Sequence, residues 1–407
     1  MQIDRDRLWA RLMRLGEIGG YPEGGVDRQA LSDEEHEAWR QMLLWADAAG
    51  LVPETDAAAN LFLTLPGQDR SLPPLLAGSH LDSQPTGGRF DGAYGVMAAL
   101  EAVSVMAEQG FRPARDVTVV SWMNEEGSRF APGMMGSEYF AGTRRIAVIR
   151  AARDAEGIAC GDEIDRLQAA FPALRQRRPF RPAAYLEPHI EQGPELDKAG
   201  VPIGIVTGIQ GKVTCEVTIS GARGHAGTEP MRGRRDAVIA FARAAVALEE
   251  RIGYRDPEIR FTIGRVEVTP NAPSVIAGEV RFRIDLRHPS NAVLEAAAGE
   301  IAGIVAAEAA PCAAQVRVLV HAPSNEFHPA LRARIADAVL RRGYAARPIA
   351  SAAGHDARHL AGICPTAMIF IPCRDGISHD PAESAEEADV AAGAQVLLDV
   401  LNSLAEG

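Results

Sequence analysis

Four apolar runs of strand length recur along this chain, at residues 75–79, 117–123, 183–186 and 364–372. Each is followed within a few positions by a His, Asp or Glu. Apolar residues at helical spacing mark 32–49 ahead of the first run. They also mark 93–110 between the first and second, where Gly110 is a stop signal. Strands joined by long helical connections predict a mostly parallel sheet with helices on both faces. In such sheets, sites form beyond the carboxyl ends of the strands. His80, Asp82, Glu125, Glu126, His189 and His379 all fall there.

A different rhythm occupies the middle of the chain. Strand patterns at 213–220, 259–268, 279–287 and 314–321 alternate with helical ones at 236–252 and 291–309. The order β-α-β-β-α-β is the ferredoxin-like arrangement. It lies between His189 and His379, so the expected layout is a discontinuous catalytic domain (1–211 and 327–407) with an α+β domain (212–326) inserted in it. There is no internal repeat and no low-complexity segment.

A length of 407 residues suits two domains, and a net charge of −12 argues against a nucleic-acid partner. The one basic run, RQRRPFRP (175–182), reads as a solvated loop. Five dispersed cysteines without a CxxC pair fit a reducing compartment and argue against both a disulfide framework and a thiolate zinc site. The N-terminus has no signal-peptide pattern, and no window is expected to approach a membrane span, so the expected location is cytoplasmic.

The chemistry concentrates in GSHLDSQPTGGRFDG (78–92). His80 and Asp82 are two apart at a strand end, which puts both side chains on one face. A Gly/Pro-punctuated loop then returns Asp91 toward them. Two divalent ions roughly 3.5–4 Å apart need a bridging carboxylate and terminal N/O ligands. Asp91 is the natural bridge, and His80, Glu126, His189 and His379 can complete both shells. Asp82 is better suited to hold the His80 tautomer, and Glu125 is free to take a proton from the attacking water. Taken singly, each has a duller reading: a surface His-x-Asp pair, a solvated Glu doublet, an Asp-Gly turn, a core histidine. Together at successive strand ends they indicate a metal-dependent hydrolase.

These residues carry a resemblance. From about Leu8 to the C-terminus the chain resembles the hydantoinase/carbamoylase amidases, a branch of the dinuclear zinc-aminopeptidase-like hydrolases. The motifs are GSHLDSQPTGGRFDG, NEEGSRF (124–130), HIEQGPELD (189–197), GHAGTEPM (224–231), DLRH (285–288), GHDA (354–357) and GISHDPAE (376–383). The resemblance implies that His80, Asp91, Glu126, His189 and His379 are the ligands of two divalent ions, zinc foremost, with manganese, cobalt or nickel also accommodated. It implies that Glu125 is the general base, that Gln192, His225 and Arg287 hold substrate, and that the inserted domain is a lid and homodimerisation module. His225 would also steady the oxyanion.

The implied reaction is hydrolysis of the ureido C–N bond of an N-carbamoyl-L-amino acid, giving amino acid, carbon dioxide and ammonia. Allantoate, ureidoglycolate and N-carbamoyl-β-alanine are rival substrates, and a dinuclear exopeptidase is the rival reaction. One departure stands out. Ser274 occupies the position where the resemblance leads to an Asn, and Asn271 is the nearby amide that could substitute for it. Both are candidate substrate contacts.

Overall fold

The computed structural model describes residues 1–22 and 24–406. They form two compact units: the residues up to Thr207 together with those from Glu326 onward, and Gly208–Asn325 between them.

At the centre of the first unit, Leu75–His80 pairs in parallel with Val117–Trp122 on one side and Ala184–Ile190 on the other. Ala184–Ile190 in turn pairs in parallel with Thr366–Ile371. All four strands are buried along their whole length, the pattern of a sheet covered on both faces. Three flanking pairs are antiparallel: Leu61–Leu65 on Val117–Trp122, Val52–Thr55 on Leu61–Leu65, and Ile203–Ile209 on Thr366–Ile371. At the outer edge Arg175–Gln176, the start of the basic run expected as a loop, pairs in parallel with Val52–Thr55. Sequence patterning did not reveal these flanking strands, and the sheet is mixed at its margins. The third apolar run also extends beyond its expected end at 186, through Pro188 to Ile190. His189 is therefore a strand residue.

Helix Ala93–Glu108 packs against the central strands and against the N- and C-terminal helices, Arg5–Glu17 and Glu387–Ala405. Nearly all its residues are buried, and Gly95 permits the close approach: a Cβ there would lie 2.2 Å from the Pro188 carbonyl oxygen. The buried Glu101 on this helix is balanced by Arg7 (2.7 Å) and Arg11 (3.3 Å), which tie the N-terminal helix to it. One expectation is corrected here. Glu387–Ala405 is long and apolar enough to cross a bilayer, yet most of it is buried inside the fold. Its apolar surface is spent on the core.

The second unit has a four-stranded antiparallel sheet in the order Arg260–Thr269, Glu279–His288, Gly211–Ser220, Ala313–Ala322. Alternate residues of the two central strands are buried beneath helices Ala237–Leu248 and Asn291–Ala309. Asp236 caps the first helix by accepting from the Val238 and Ile239 amides. That helix ends in a π turn, Glu249–Gly253, where the sequence pattern had continued as one helix to 252. In the first unit, the basic run is mostly exposed, but Arg177 is partly buried. It reaches Glu54 at 3.1 Å and stacks on Phe180.

Candidate metal centre

His80 ends its strand, and Gly92 lets Asp91 come back to it. A Cβ on Gly92 would lie 2.3–2.4 Å from His80 ring atoms, and its φ of +62° also favours glycine. The donor atoms of His80, Asp91 and His189 all lie within 4.8 Å of one another, and so do those of Asp91, Glu126 and His379. Asp91 belongs to both groups through different oxygens. Its Oδ1 faces Nε2 of His189 (3.2 Å) and of His80 (3.9 Å), while its Oδ2 faces Nε2 of His379 (3.0 Å). Glu126 Oε2 is 3.4 Å from the same His379 nitrogen.

The imidazoles are oriented from behind. His80 Nδ1 lies 2.9 Å from the Asp82 carbonyl oxygen, and His189 Nδ1 lies 2.9 Å from the Ile190 carbonyl oxygen. Each contact puts the ring proton on Nδ1 and turns the Nε2 lone pair toward Asp91. Asp82 therefore serves His80 chiefly through its backbone, since its carboxylate is 3.6 Å away. That carboxylate accepts instead from the Glu125 and Glu126 amides, both at 3.2 Å. Asn124, at φ 54°, makes the bend that presents the two glutamates, and its side-chain amide donates to the Phe130 carbonyl oxygen.

Charge is concentrated here. Burial holds the Glu125 carboxyl well above the usual carboxylate range, and Asp356, Glu126 and Asp82 push it the same way against His80. Burial also pushes Glu126 up to about 7, with Asp91 adding to the effect. Burial lowers His189 to about 4, whereas the hydrogen bond to Asp91 raises His379 to about 9. The donors are three imidazoles and two carboxylates, and all five cysteines are buried elsewhere as free thiols. A shared carboxylate facing two nitrogen-bearing groups, with the tautomers preset, is a donor set that fits divalent cations.

Gln192, at φ 57°, reaches into this cluster: its Nε2 donates to Asp91 Oδ2 at 2.9 Å. Four supporting residues were not singled out from sequence. Gln84 Nε2 donates to Glu126 Oε2 at 2.8 Å. The buried Arg28 donates to the Leu81 carbonyl oxygen, between His80 and Asp82, and to the carbonyls of Leu15 and Ile18. Glu187 accepts from Ser79 and Ala357, both at 2.7 Å, while His355 packs edge-on to His189. For Gln84 the signal was its place in the motif. For Arg28, eleven residues beyond the end of helix Arg5–Glu17, there was none.

The remaining candidates lie in the second unit. His225 is exposed on a two-residue strand, Gly224–His225, paired with Val275–Ile276. The Ala226 amide donates to the Ser274 carbonyl oxygen at 3.0 Å. His225 and Ser274 are thus neighbours despite 49 intervening steps along the chain. Asn271, at φ 54°, and Ser274 are both exposed. Arg287 lies 2.7 Å from Asp285 Oδ1, which Lys212 flanks through Oδ2 at 2.9 Å.

Comparison with known proteins gives a consistent picture. Residues 76–403 match peptidase family M20/M25/M40. The N-carbamoyl-L-amino acid amidohydrolase of Geobacillus stearothermophilus is 39% identical, with all of both chains covered. That of Rhizobium meliloti is 37% identical over 100% of this chain and 97% of its own. A crystal structure of a hydantoinase/carbamoylase family amidase from Burkholderia multivorans superposes with a TM-score of 0.91 at 39% identity, covering 99% and 98% of the two chains.

Proposed function

The chain belongs to peptidase family M20/M25/M40, and from that premise we propose that it is a metal-dependent amidohydrolase of N-carbamoyl-L-amino acids. The observation that carries the reading is Asp91, whose two oxygens serve two different donor groups. We assign His80, Asp91, Glu126, His189 and His379 as ligands of two divalent ions, zinc foremost. Bound there, the ions would supply Lewis acidity and make water acidic enough to ionise near neutral pH.

Glu125 is the proton carrier. Its Oε2 lies 3.7 Å from His80 Nε2, and it is nearly buried, so little bulk water competes for its proton. It takes the proton from the water that adds to the ureido carbonyl carbon, then gives it to the nitrogen that leaves as the C–N bond breaks. One water is consumed: the first cleavage leaves a carbamic acid, which loses carbon dioxide as its remaining C–N bond breaks and its proton passes to nitrogen, so that amino acid, carbon dioxide and ammonia result. Gln192, held against Asp91, orients the ureido group. We assign Arg287 to the substrate carboxylate and His225 to the developing oxyanion, with Asn271 and Ser274 as further substrate contacts. Asp82 acts through the backbone it anchors.

The second unit serves as lid and dimerisation module in this reading. Its support is the uncovered strand Arg260–Thr269, with exposed Tyr254, Val246 and Val266 in the same unit. The free cysteines support a reducing, cytoplasmic setting.

The test is ammonia release from carbamoyl-L-amino acids, allantoate, ureidoglycolate, N-carbamoyl-β-alanine and a dipeptide panel after metal reconstitution. Carbamoyl amino acids should be turned over fastest, with Glu125→Gln lowering kcat by about 10²–10⁴-fold. Turnover of dipeptides alone would make the chain an exopeptidase.

A further inference from the structure

We infer that Glu383 is a positioning residue that clamps the Asp91 loop to the His379 loop and thereby sets where the shared carboxylate points. The inference rests on the metal reading above and concerns a side chain with no part in it so far. Glu383 is buried, and its Oε1 accepts from two consecutive amides, Phe90 at 2.9 Å and Asp91 at 3.0 Å. Its Oε2 lies 3.0 Å from the hydroxyl of Ser378, the residue next to His379. That hydroxyl is also 3.2 Å from Asp91 Oδ2, and Gln192 Nε2 donates to it at 3.2 Å.

One carboxylate therefore joins two loops almost three hundred residues apart, using backbone donors that cannot swing away. Two backbone amides converging on one carboxyl oxygen, with the Ser378 hydroxyl at the other, fix direction as well as distance. Rotation of the 88–91 backbone would carry Asp91 Oδ1 and Oδ2 off their respective histidines together.

Gly88 explains how the grip is possible. A Cβ there would lie 2.1 Å from Glu383 Oε1 and 2.2 Å from its Cδ. The second glycine of TGGRFDG thus keeps open the space that this carboxylate fills. Gly88 has no left-handed φ, so an alanine there acts by displacing Glu383.

The test compares the parent with Glu383→Ala, Glu383→Gln and Gly88→Ala. The readouts are Co²⁺ affinity and visible absorption spectrum, and amide exchange over residues 86–92. Loss of such a supporting partner costs about 10–100-fold in metal affinity. That drop, an altered cobalt spectrum and faster exchange are expected for both alanine variants. Glu383→Gln should recover most of the affinity, because its amide oxygen can still accept both backbone amides. Should Glu383→Ala fail to fold, the Gly88→Ala and Glu383→Gln pair carries the same comparison.

Parental cobalt affinity in Gly88→Ala or Glu383→Ala overturns the inference, whether or not exchange changes. Failure of Glu383→Gln to recover affinity also overturns it. A parent chain that takes up no metal sinks the metal reading itself, which separates the two failures.

Discussion

His189 and His379 face the same carboxylate from opposite sides, and they are built differently. His189 lies within a central strand, its side chain 1% exposed and its Nδ1 tied to a backbone carbonyl. His379 lies on a loop at φ 57°, its side chain 47% exposed. Burial holds the first neutral, and the hydrogen bond to Asp91 favours charge on the second. The strand side of Asp91 is thus preset by the fold, while the loop side depends on neighbouring loops for its geometry. The contrast implies a tight and a loose half within one site.

The strongest attack on that contrast is Asp91→Asn. It removes the shared negative charge and leaves one neutral carbonyl oxygen where two carboxylate oxygens stood, so metal stoichiometry measured after gel filtration should fall below one. Catalysis should drop by at least about 10²-fold, the scale of losing Lewis-acid support. Retention of one full equivalent would mean that the strand side holds its ion without help from the shared carboxylate.

A milder test compares His189→Ala with His379→Ala by urea unfolding of the chelated protein. The first leaves a buried cavity and a less satisfied Asp91, and should destabilise the fold by about 1–3 kcal/mol. The second removes a half-exposed side chain whose bond to Asp91 is screened by solvent, so its loss should be the smaller of the two. Equal losses would erase the distinction between the halves.

The smallest effect is the dependence of stability on pH, again without metal. His379 has its folded pKa raised from 6.5 to about 9. Its contribution is full below 6.5 and disappears as pH rises through 9. His189 is lowered from 6.5 to about 4, so its contribution is present above 6.5 and lost as pH falls toward 4. Urea midpoints should decline toward both extremes. His379→Gln should flatten the alkaline arm and His189→Gln the acid arm. A parent profile without an alkaline decline would remove the basis for assigning charge to His379.

Much of this site was legible beforehand because strand periodicity and strand-end chemistry are local signals. His80, Asp91, Glu126, His189 and His379 stood out by type and by position after apolar runs, and they converge in one cluster. The βαββαβ order of the second unit was readable for the same reason. Its two central strands bury alternate residues, and alternation survives in one dimension. The flanking strands Val52–Thr55 and Leu61–Leu65 did not announce themselves. The second is buried on both faces, so it has no period for a pattern to reveal.

Residue types and spacing by themselves pointed to the His, Asp and Glu donors, the α/β layering and a second unit set within the first. These follow from where apolar runs begin and end along the chain. Only the tertiary structure decided which oxygen of Asp91 faces which histidine, that Asp82 anchors the Glu125–Glu126 backbone and that a carbonyl orients His80. It also decided that Gly88 makes room for Glu383. Those facts are matters of distance and angle between segments remote in sequence, and a one-dimensional pattern carries no information about direction across a fold.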